Sequence, residues 1–433
     1  MSEPRVLVVG QGGREHALVD ALHRSPEHPK LFVAPGNAGM ESLAERVPIE
    51  ATDVLSLVRW VRGHAIDLVV IGPETPLEKG LADALRDEAV PVLGPGRDGA
   101  RLETSKVFAK KLFQKAGLPS ASFEVATSAE EAERIVAGGT FPVVLKADGL
   151  AAGKGVVVAS TREEAMAAVD AWMRRGTLGD SGSTLLIEEF LEGEEASILV
   201  LTDGERWVLF PPARDHKRLS DGDTGPNTGG MGACAPARVP TPDDARAIAH
   251  ALVDPLLAAL RNEGTPYRGI LYLGLMLTAS GPQILEVNAR FGDPEAQAVL
   301  PLLTEDLLPL ADAAARGRLP SGRHGTFVAH EGAAVCVVLA ARGYPASPES
   351  GATIEGLNGP WPHGICVYHA GVEKRGGQWI ASGGRVLGVT ARSETLELAR
   401  LAAYQAVGLI RFNGMQYRKD IAQSPQPSGA PRP

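Results

Sequence analysis

The stretch Ile284-Leu-Glu-Val-Asn-Ala-Arg-Phe-Gly-Asp-Pro-Glu295 is the most informative segment of the sequence. It begins as an apolar run typical of a strand, on which Glu286 and Asn288 are two residues apart and share a face. Two oxygen ligands side by side suit Mg²⁺ bound to nucleotide phosphates, because that ion usually takes one or two protein ligands. Arg290 follows and is suited to stabilising charge on a transferring phosphoryl group. The segment therefore predicts a metal site at Glu286 and Asn288 and a catalytic arginine.

A glycine-rich loop, Lys146-Ala-Asp-Gly-Leu-Ala-Ala-Gly-Lys-Gly155, lies between two predicted strands, Pro142–Lys146 and Gly155–Ala159. Glycines let backbone N–H groups close around phosphate oxygens, while Lys146 and Lys154 supply positive charge. The loop is not of the Walker A type, because neither Ser nor Thr follows the second lysine and a strand rather than a helix comes next. A tight hairpin with solvated lysines explains the loop equally well when it is taken alone.

An acidic segment, Leu186-Ile-Glu-Glu-Phe-Leu-Glu-Gly-Glu-Glu-Ala-Ser197, joins two further predicted strands. An ordinary solvated turn accounts for its carboxylates. Alternatively, the segment is a nucleotide clamp, in which one carboxylate and backbone groups meet adenine and a second carboxylate meets the ribose hydroxyls. The segment by itself leaves both interpretations open.

The beginning of the chain predicts a doubly wound α/β layer. A β-branched run at Arg5–Val9 stops at Gly10-Gln-Gly-Gly-Arg-Glu-His16 and gives way to a helical pattern at Glu15–Leu22. Strands and helices continue to alternate up to Gly94, which indicates a parallel sheet. The glycine turn is similar to a dinucleotide fingerprint, but Glu15 stands where the third glycine of that motif is required, so NAD binding is not specified.

Length and composition limit the remaining possibilities. A chain of 433 residues predicts about three domains. The 43 Lys and Arg against 52 Asp and Glu give a net charge of −9, which argues against a nucleic-acid-binding surface. Three widely spaced cysteines form neither a disulfide framework nor a zinc signature, and no apolar stretch is long enough for a membrane span. These features predict a cytoplasmic protein without nucleic-acid or membrane partners.

The predicted nucleotide segments occur in the order and spacing of the ATP-grasp superfamily, and the chain resembles its phosphoribosylamine–glycine ligase family from about Arg5 to Tyr417. The resemblance rests on Val8-Val-Gly-Gln-Gly-Gly-Arg-Glu-His-Ala17, Ala34-Pro-Gly-Asn-Ala-Gly39, Ile71-Gly-Pro-Glu74, Arg214-Asp-His-Lys-Arg218, Pro226-Asn-Thr-Gly-Gly-Met-Gly232 and Arg290-Phe-Gly-Asp-Pro-Glu295.

This resemblance implies ligation of glycine to 5-phosphoribosylamine with ATP and Mg²⁺ or Mn²⁺. It also implies an α/β fold with a doubly wound N-terminal domain (1–102) and an ATP-grasp core (103–325) that carries a small α+β lid (about 120–192). A mixed α/β C-terminal domain (326–422) and a disordered tail (423–433) complete the expected organisation. We expect a monomer or a weak homodimer.

The resemblance also assigns the nucleotide site. It implies that Lys106 and Lys146 contact ATP phosphates, with Lys146 contributing to catalysis, and that Glu195 meets the ribose. The loop that covers the phosphates is expected to include Gly149, Gly153, Lys154 and Gly155. Adenine is expected to meet Glu188, Glu189 and the backbone as far as Leu191. The strand before Glu286 contains no acid, which leaves two alternatives: one metal has only two protein ligands, or a second ion is weakly held.

The substrate residues are expected in other loops. The turn with Gly12, Gly13, Arg14 and Glu15 offers N–H groups to the phosphoribosyl group, and Asn37 and Glu74 follow predicted strands at the edge where α/β sheets bind ligands. We assign Glu74 to the ribose hydroxyls. Asp215, which we also place in catalysis, Asp293 and Glu295 are candidates for binding the glycine ammonium group, and the sequence does not rank them.

Two other functions remain as alternatives. One is a different ATP-grasp enzyme, such as a purine-pathway carboxylase or a formate-using transformylase, against which the Arg290–Glu295 and Gly36–Gly39 stretches count. The other is a non-catalytic module whose first domain binds NAD. Glu15 and the joint presence of the residues assigned to ATP argue against that module.

Overall fold

The N-terminal part of the protein is a parallel sheet with helices on its faces. The computed structural model describes residues 3–151, 155–237, 240–320 and 325–423. The elements of this part are β1 (Arg5–Gly10), α1 (Gly13–His23), β2 (Lys30–Pro35), β3 (Glu45–Arg46), α2 (Val54–Gly63), β4 (Leu68–Ile71), α3 (Glu74–Glu78), α4 (Leu81–Asp87), β5 (Val92–Leu93) and α5 (Arg97–Thr104). The strand order is β3-β2-β1-β4-β5, and all pairs are parallel. The loops after β1 and β4 therefore meet where the order reverses, which is where such sheets bind ligands.

A small α+β unit follows. Its elements are α6 (Lys106–Ala116), β6 (Phe123–Ala126), α7 (Ala129–Gly138), β7 (Val143–Ala147), β8 (Val156–Ala159), α8 (Arg162–Val169) and β9 (Leu185–Glu189). The four strands form an antiparallel sheet in the order β6-β9-β7-β8. The apolar sides of α7 and α8 pack on it around Ala132, Val136, Leu145 and Ala165. We name this sheet with α7 and α8 the lid unit.

The central part supplies a further sheet that is mainly antiparallel. Its elements are β10 (Glu194–Thr202), β11 (Trp207–Leu209), β12 (Arg214–Asp215), β13 (Arg218–Ser220), β14 (Thr224–Asn227), β15 (Gly232–Ala235), α9 (Pro242–Asn262), β16 (Gly269–Thr278), β17 (Gly281–Asn288), α10 (Glu295–Val299), α11 (Leu307–Ala315) and β18 (Gly325–Thr326). The sheet has the order β17-β16-β10-β11-β18 and is antiparallel except for the parallel pair of β11 and β18. The long helix α9 packs on its core near Trp207 and Leu271. We name it the core sheet.

The last part of the described chain contains β19 (Ala333–Ala340), β20 (Thr353–Ile354), β21 (Ile365–His369), β22 (Val372–Arg375), β23 (Gln378–Ala381), β24 (Arg385–Ser393) and α12 (Leu396–Val407). Its main sheet has the order β12-β15-β19-β24-β21, so two short strands from the central part extend it, with β15 pairing directly with the C-terminal strand β19. This shared sheet fixes the C-terminal part against the segment around Asp215.

The architecture confirms the predicted α/β class, and two local features differ from what the sequence predicts. The helical pattern over Pro76–Glu88 predicts one helix, but the structure has two there, because Gly80 adopts a left-handed conformation with φ of 79°. The length and glycine content of Thr224–Gly232 favour a loop that closes over the substrates, but the segment contains β14, which pairs with β13 as a hairpin. The two predicted strands at 184–190 and 196–202 lie in different sheets, the first in the lid unit and the second in the core sheet. Among the described residues, no helix combines the length and apolarity needed to cross a membrane.

Candidate active site

Two lysines reach the cleft between the lid unit and the core sheet. Lys106 is the first residue of α6, and its Nζ donates to the carbonyl of Gly149 at 3.0 Å. Lys146 lies on β7, and its Nζ donates to the carbonyl of Leu285 on β17 at 3.0 Å. Burial lowers the pKa of Lys106, while the charge of Glu286 opposes this effect. The structure thus brings both predicted phosphate lysines next to the predicted metal strand.

The glycine-rich loop is described only in part. Gly149 has a φ of 121°, which favours glycine, and a Cβ there would meet the Ser181 hydroxyl at 2.8 Å. Gly155 closes the loop, since its carbonyl accepts a hydrogen bond from the N–H of Ala147 at 2.8 Å. The predicted phosphate contacts of Gly153 and Lys154 lie outside the described residues.

Glu188 is a buried carboxylate that holds two lysines. Its Oε2 lies 2.8 Å from Nζ of Lys146 and 3.6 Å from Nζ of Lys110. Lys110 also donates to the carbonyl of Ala121 at 2.7 Å, and burial lowers its pKa to about 8. The side chain of Glu188 therefore positions Lys146, and its predicted contact with adenine stays a prediction.

The other predicted nucleotide residues border the same cleft. Glu189 accepts a hydrogen bond from the N–H of Ser122 at 2.9 Å, and Leu191 follows at the link between the two sheets. Glu195 is the second residue of β10, and its Oε2 lies 3.8 Å from Nζ of Lys217.

Glu286 and Asn288 stand on the same side of β17 at the mouth of the cleft. The β16 partner of Glu286 is Gly274, and the register shifts next to this pair, so Leu285 is left without a partner on β16. A Cβ at Gly274 would come within 3.0 Å of the Glu286 side chain. Glycine thus leaves room for the carboxylate, and the bulge directs the Leu285 carbonyl to Lys146.

The ammonium group of Lys217 lies beside Glu286, where the sequence predicts a metal ion. Nζ of Lys217 donates to Oε1 of Glu286 at 3.0 Å. The charge of Lys217 is the main reason why the pKa of Glu286 falls to about 2. A permanently ionised carboxylate beside an amide oxygen fits Mg²⁺ or Mn²⁺, which prefer oxygen ligands. Within the described ranges, no group of three or more His, Cys, Asp or Glu is suited to a metal ion.

Arg290 is held by carboxylates from the N-terminal part. Its Nε lies 3.1 Å from Oε2 of Glu74, and one terminal nitrogen lies 2.6 Å from Oε1 of Glu103. Burial alone would raise the pKa of Glu74, but Arg290 and Arg14 outweigh it and hold that pKa at about 2. Burial raises the pKa of Glu103, which also accepts the N–H of Ala289 at 2.7 Å.

Three carboxylates lie near the turn after β17: Asp293 and Glu295 follow β17, and Asp215 is on β12. Oδ1 of Asp215 is buried and has no hydrogen-bond partner among the described residues. Burial, followed by the nearby charge of Glu295, raises the pKa of Asp215 well above its usual range. Glu295 is 3 % exposed and lies 3.5 Å from the hydroxyl of Ser197. Asp293 is already satisfied, since its Oδ1 accepts a hydrogen bond from Gln297 at 2.6 Å.

Arg385 brings the C-terminal part into the same region. It donates to the carbonyl of Asp293 at 2.6 Å, lies 3.1 Å from Oδ2 of that residue and also donates to the carbonyl of Gly229. Tyr344 accepts the N–H of Gly229 at 2.9 Å. A Cβ at Gly230 would lie 2.8 Å from Oδ1 of Asp215, so this segment packs directly on the unpartnered carboxylate oxygen.

The side chain of Glu15 holds the glycine turn after β1 in place. Oε2 of Glu15 accepts the N–H of Gly12 at 2.6 Å, and Oε1 lies 2.6 Å from Nε of Arg14. Arg14 also donates to the carbonyl of Phe291 at 3.2 Å, which joins this turn to the one after Arg290. At Gly13 a Cβ would come within 2.6 Å of Gln297, so α1 approaches α10 closely.

The side-chain amide of Asn37 is hydrogen-bonded to main-chain groups. Its Oδ1 accepts the N–H of Gly39 at 2.9 Å, and its Nδ2 donates to the carbonyls of Gln11 at 2.7 Å and His369 at 2.9 Å. The side chain thus ties the loop after β2 to the turn after β1 and to β21. A substrate contact for Asn37 stays a prediction.

Sequence reasoning did not assign four residues that the structure places here: Glu103, Lys110, Lys217 and Arg385. Lys217 lies inside a motif used for the family resemblance, so a signal existed for it. Lys110 lies on the basic helix that begins at Lys106. Glu103 and Arg385 belong to no local motif, and their partners are far along the chain.

Together, the parallel N-terminal layer, the lid unit facing a mainly antiparallel core sheet and the lysine and carboxylate cleft between them define an ATP-grasp enzyme. Models of the phosphoribosylglycinamide synthetase N domain, ATP-grasp (A) domain and C domain match residues 4–103, 104–296 and 334–424. The chain therefore belongs to the phosphoribosylglycinamide synthetase family and is a ligase, which confirms the resemblance inferred from its motifs.

Individual relatives agree with this membership. The chain is 44 % identical over 429 residues to a phosphoribosylamine–glycine ligase of Rhodopirellula baltica, with 98 % of each chain covered. It is 46 % identical to that of Caulobacter vibrioides, covering 97 % of this chain and 98 % of the relative. A crystal structure of the Thermotoga maritima phosphoribosylamine–glycine ligase superposes with a TM-score of 0.84 at 36 % identity, covering 96 % of this chain and 100 % of that one. The fold and family entail the use of ATP and a divalent metal.

Proposed function

We propose that this enzyme joins glycine to 5-phosphoribosylamine, converting ATP to ADP and phosphate and releasing glycinamide ribonucleotide. The names of its relatives support this reaction, which is a step of purine biosynthesis. The observation that supports the proposal most directly is that β17 and the turn after it connect the nucleotide cleft with the N-terminal part. Leu285 contacts the phosphate lysine Lys146, and five residues later Arg290 contacts Glu74 of the N-terminal part.

The chemistry requires activation of glycine. A carboxylate is a poor acyl donor because oxide would have to leave, so the γ-phosphoryl group of ATP is first transferred to a glycine oxygen. The amine of phosphoribosylamine then attacks the acyl carbon of glycyl phosphate and phosphate leaves. Lys106, Lys146 and Arg290 stabilise the charge on the transferring group.

No enzyme nucleophile is needed for these steps. The three cysteines are free thiols, and burial raises the pKa of Cys234 to about 11. Catalysis then consists of positioning the substrates and complementing their charge.

We assign the glycine ammonium group to Asp215. The unpartnered Oδ1 distinguishes it from Asp293, whose carboxylate is engaged by Arg385 and Gln297. Glu295 stands behind Asp215 and adds negative charge. An ammonium donor would satisfy the buried oxygen and restore the ordinary ionisation of Asp215.

We assign the metal to Glu286 and Asn288, which would hold Mg²⁺ or Mn²⁺. The ion supplies charge neutralisation to the ATP phosphates when bound. Phosphoribosylamine is assigned to the loops after β1 and β4, with Glu74 on the ribose and the Gly12 to Glu15 turn near the phosphate. A cytoplasmic location, a monomer or weak homodimer and the domain bounds 102, 325 and 422 remain predictions from the sequence.

Measurement of ADP release tests the proposal directly. ADP and phosphate should form only when both glycine and 5-phosphoribosylamine are present, and bicarbonate or formate should not replace glycine. With glycine labelled by ¹⁸O in its carboxylate, one ¹⁸O atom should appear in phosphate, because the oxygen that accepts the phosphoryl group leaves with it. Release of AMP, turnover without glycine or unlabelled phosphate would refute the reaction.

A further inference from the structure

Lys217 occupies a place that the proposed reaction gives to another cation. Its Nζ lies 3.0 Å from Oε1 of Glu286 and 3.8 Å from Oε2 of Glu195. These two acids belong to β17 and β10, which are separated by β16 in the core sheet. One ammonium group therefore links the acid assigned to the metal with the acid assigned to the ribose.

The main chain of Lys217 is fixed while its side chain is accessible. Its carbonyl accepts two hydrogen bonds from Thr228, each of 2.8 Å. The side chains of Lys217 and Glu286 are 32 % and 40 % exposed, so their ion pair faces the open cleft. A partly exposed pair can exchange one partner at small cost, whereas a fully enclosed pair cannot.

A metal ion and an ammonium group compete for the same carboxylate, because their like charges repel. We propose that Lys217 is an exchanging cation: it neutralises Glu286 before the metal binds, and the arriving metal displaces it. The displaced ammonium group remains tethered beside the cavity lined by Asp215, Ser197 and Tyr272. There it offers positive charge to the anionic groups of the substrates.

In the structure the ammonium group of Lys217 contacts Glu286 at 3.0 Å and lies 3.8 Å from Glu195, so it balances the charge of Glu286 until a metal ion takes over that part. The inference rests on the proposed function for the identity of the metal ligand, but it concerns binding and not turnover.

The test is a titration of the enzyme with Mn²⁺ alone, with free Mn²⁺ measured by electron paramagnetic resonance. Lys217→Met retains the length of the side chain without its charge and should bind Mn²⁺ about fivefold more tightly than the wild type. Lys217→Arg keeps the competing charge and should remain near the wild-type affinity. Turnover should fall in Lys217→Met although its metal affinity rises, a combination that general damage to the site would not produce.

Arg214→Gln is the matched control, since it removes one positive charge from the adjoining strand. Arg214 pairs with Glu194 at 3.2 Å and not with Glu286, so its Mn²⁺ affinity should not change. Lys217→Gln serves as a second neutral variant if Lys217→Met does not fold. Equal or weaker Mn²⁺ binding by the neutral variants, including no detectable binding, would overturn the exchange, as would equal tightening in Lys217→Arg. If the wild type releases ADP without glycine, the proposed reaction is refuted, but the proposed exchange of Lys217 is not.

Discussion

Arg290 is fixed on all sides of its guanidinium group. Nε faces Glu74, one terminal nitrogen faces Glu103, and the other donates to the carbonyl of Phe291 at 3.0 Å. These contacts hold the plane of the group still before any substrate arrives. An arginine positioned in advance stabilises developing charge without reorganisation, which is the main source of electrostatic catalysis.

Replacing Glu103 by Gln should slow turnover by roughly tenfold, the effect of losing one charged hydrogen bond to Arg290. The amide oxygen of Gln still accepts the N–H of Ala289, so the fold should be retained. Steady-state kinetics should show a lower kcat with little change in the KM for ATP. An unchanged kcat would mean that Glu74 alone positions Arg290.

Glu286→Ala should abolish turnover while leaving the fold intact, because the metal proposed there would lose its charged protein ligand and Lys217 would lose the nearer of its two acidic partners. Circular dichroism and thermal unfolding would verify folding, and ADP release would measure turnover. Glu194→Ala is the matched control: it removes the carboxylate that pairs with Arg214 and should leave activity within about twofold. Wild-type activity in Glu286→Ala would remove the metal assignment.

At the scale of secondary-structure elements, the sequence pattern predicts an element correctly when residues within that element stabilise it. The apolar runs Ile270–Leu277 and Gln283–Asn288, joined by Ala279-Ser-Gly-Pro282, predict a hairpin, and the structure confirms it as β16 and β17. The hairpin of β13 and β14 was not predicted, because its glycine-rich sequence has no strand signal. It is held instead by Arg418, which lies 2.6 Å from Asp223 at the hairpin turn and 2.7 Å from Asp420.

Arg385→Lys should loosen the segment that lies over Asp215. Lysine keeps the charge but cannot make the several contacts of the guanidinium group to Asp293 and Gly229. We expect the KM for glycine to rise about tenfold while the KM for ATP stays constant.

The control for this change is Arg392→Lys on the same strand, whose guanidinium group contacts the carbonyl of Pro301 at 3.1 Å. That variant should behave as the wild type. Equal rises in both KM values for Arg385→Lys would instead indicate general disruption of the cleft.

At the scale of the whole molecule, the site depends on contacts that no local pattern encodes. Arg290 was predicted from its motif, but Glu103, which holds it, lies almost two hundred residues earlier and is followed by an ordinary helix start. Arg385 reaches Asp293 from a different sheet. Sequence patterns therefore identified the chemistry-bearing segments, while the residues that orient them became visible only when the chain was folded.

The junction between the N-terminal and C-terminal parts contains two neutral histidines. The rings of His16 and His369 stack with centroids 5.3 Å apart, and burial lowers their pKa values to about 3 and about 4. His16 accepts the N–H of His369 through Nδ1 at 2.9 Å, whereas neither ring nitrogen of His369 has a hydrogen-bond partner among the described residues. The His369 ring also lies 4.9 Å from that of Trp379.

This arrangement predicts that acid weakens the junction. The unfolded chain protonates His369 below about pH 6.5, whereas the folded protein keeps it neutral down to about pH 4. The free energy of unfolding should therefore fall with decreasing pH in this window, by up to about 1.4 kcal/mol per pH unit from this residue. His369→Phe preserves an aromatic ring and removes the titration, so it should match the wild type at pH 8 and exceed its stability at pH 5. Denaturant unfolding at both pH values measures this difference, with exposed His363→Gln as the control, and equal acid sensitivity of His369→Phe and the wild type would contradict it.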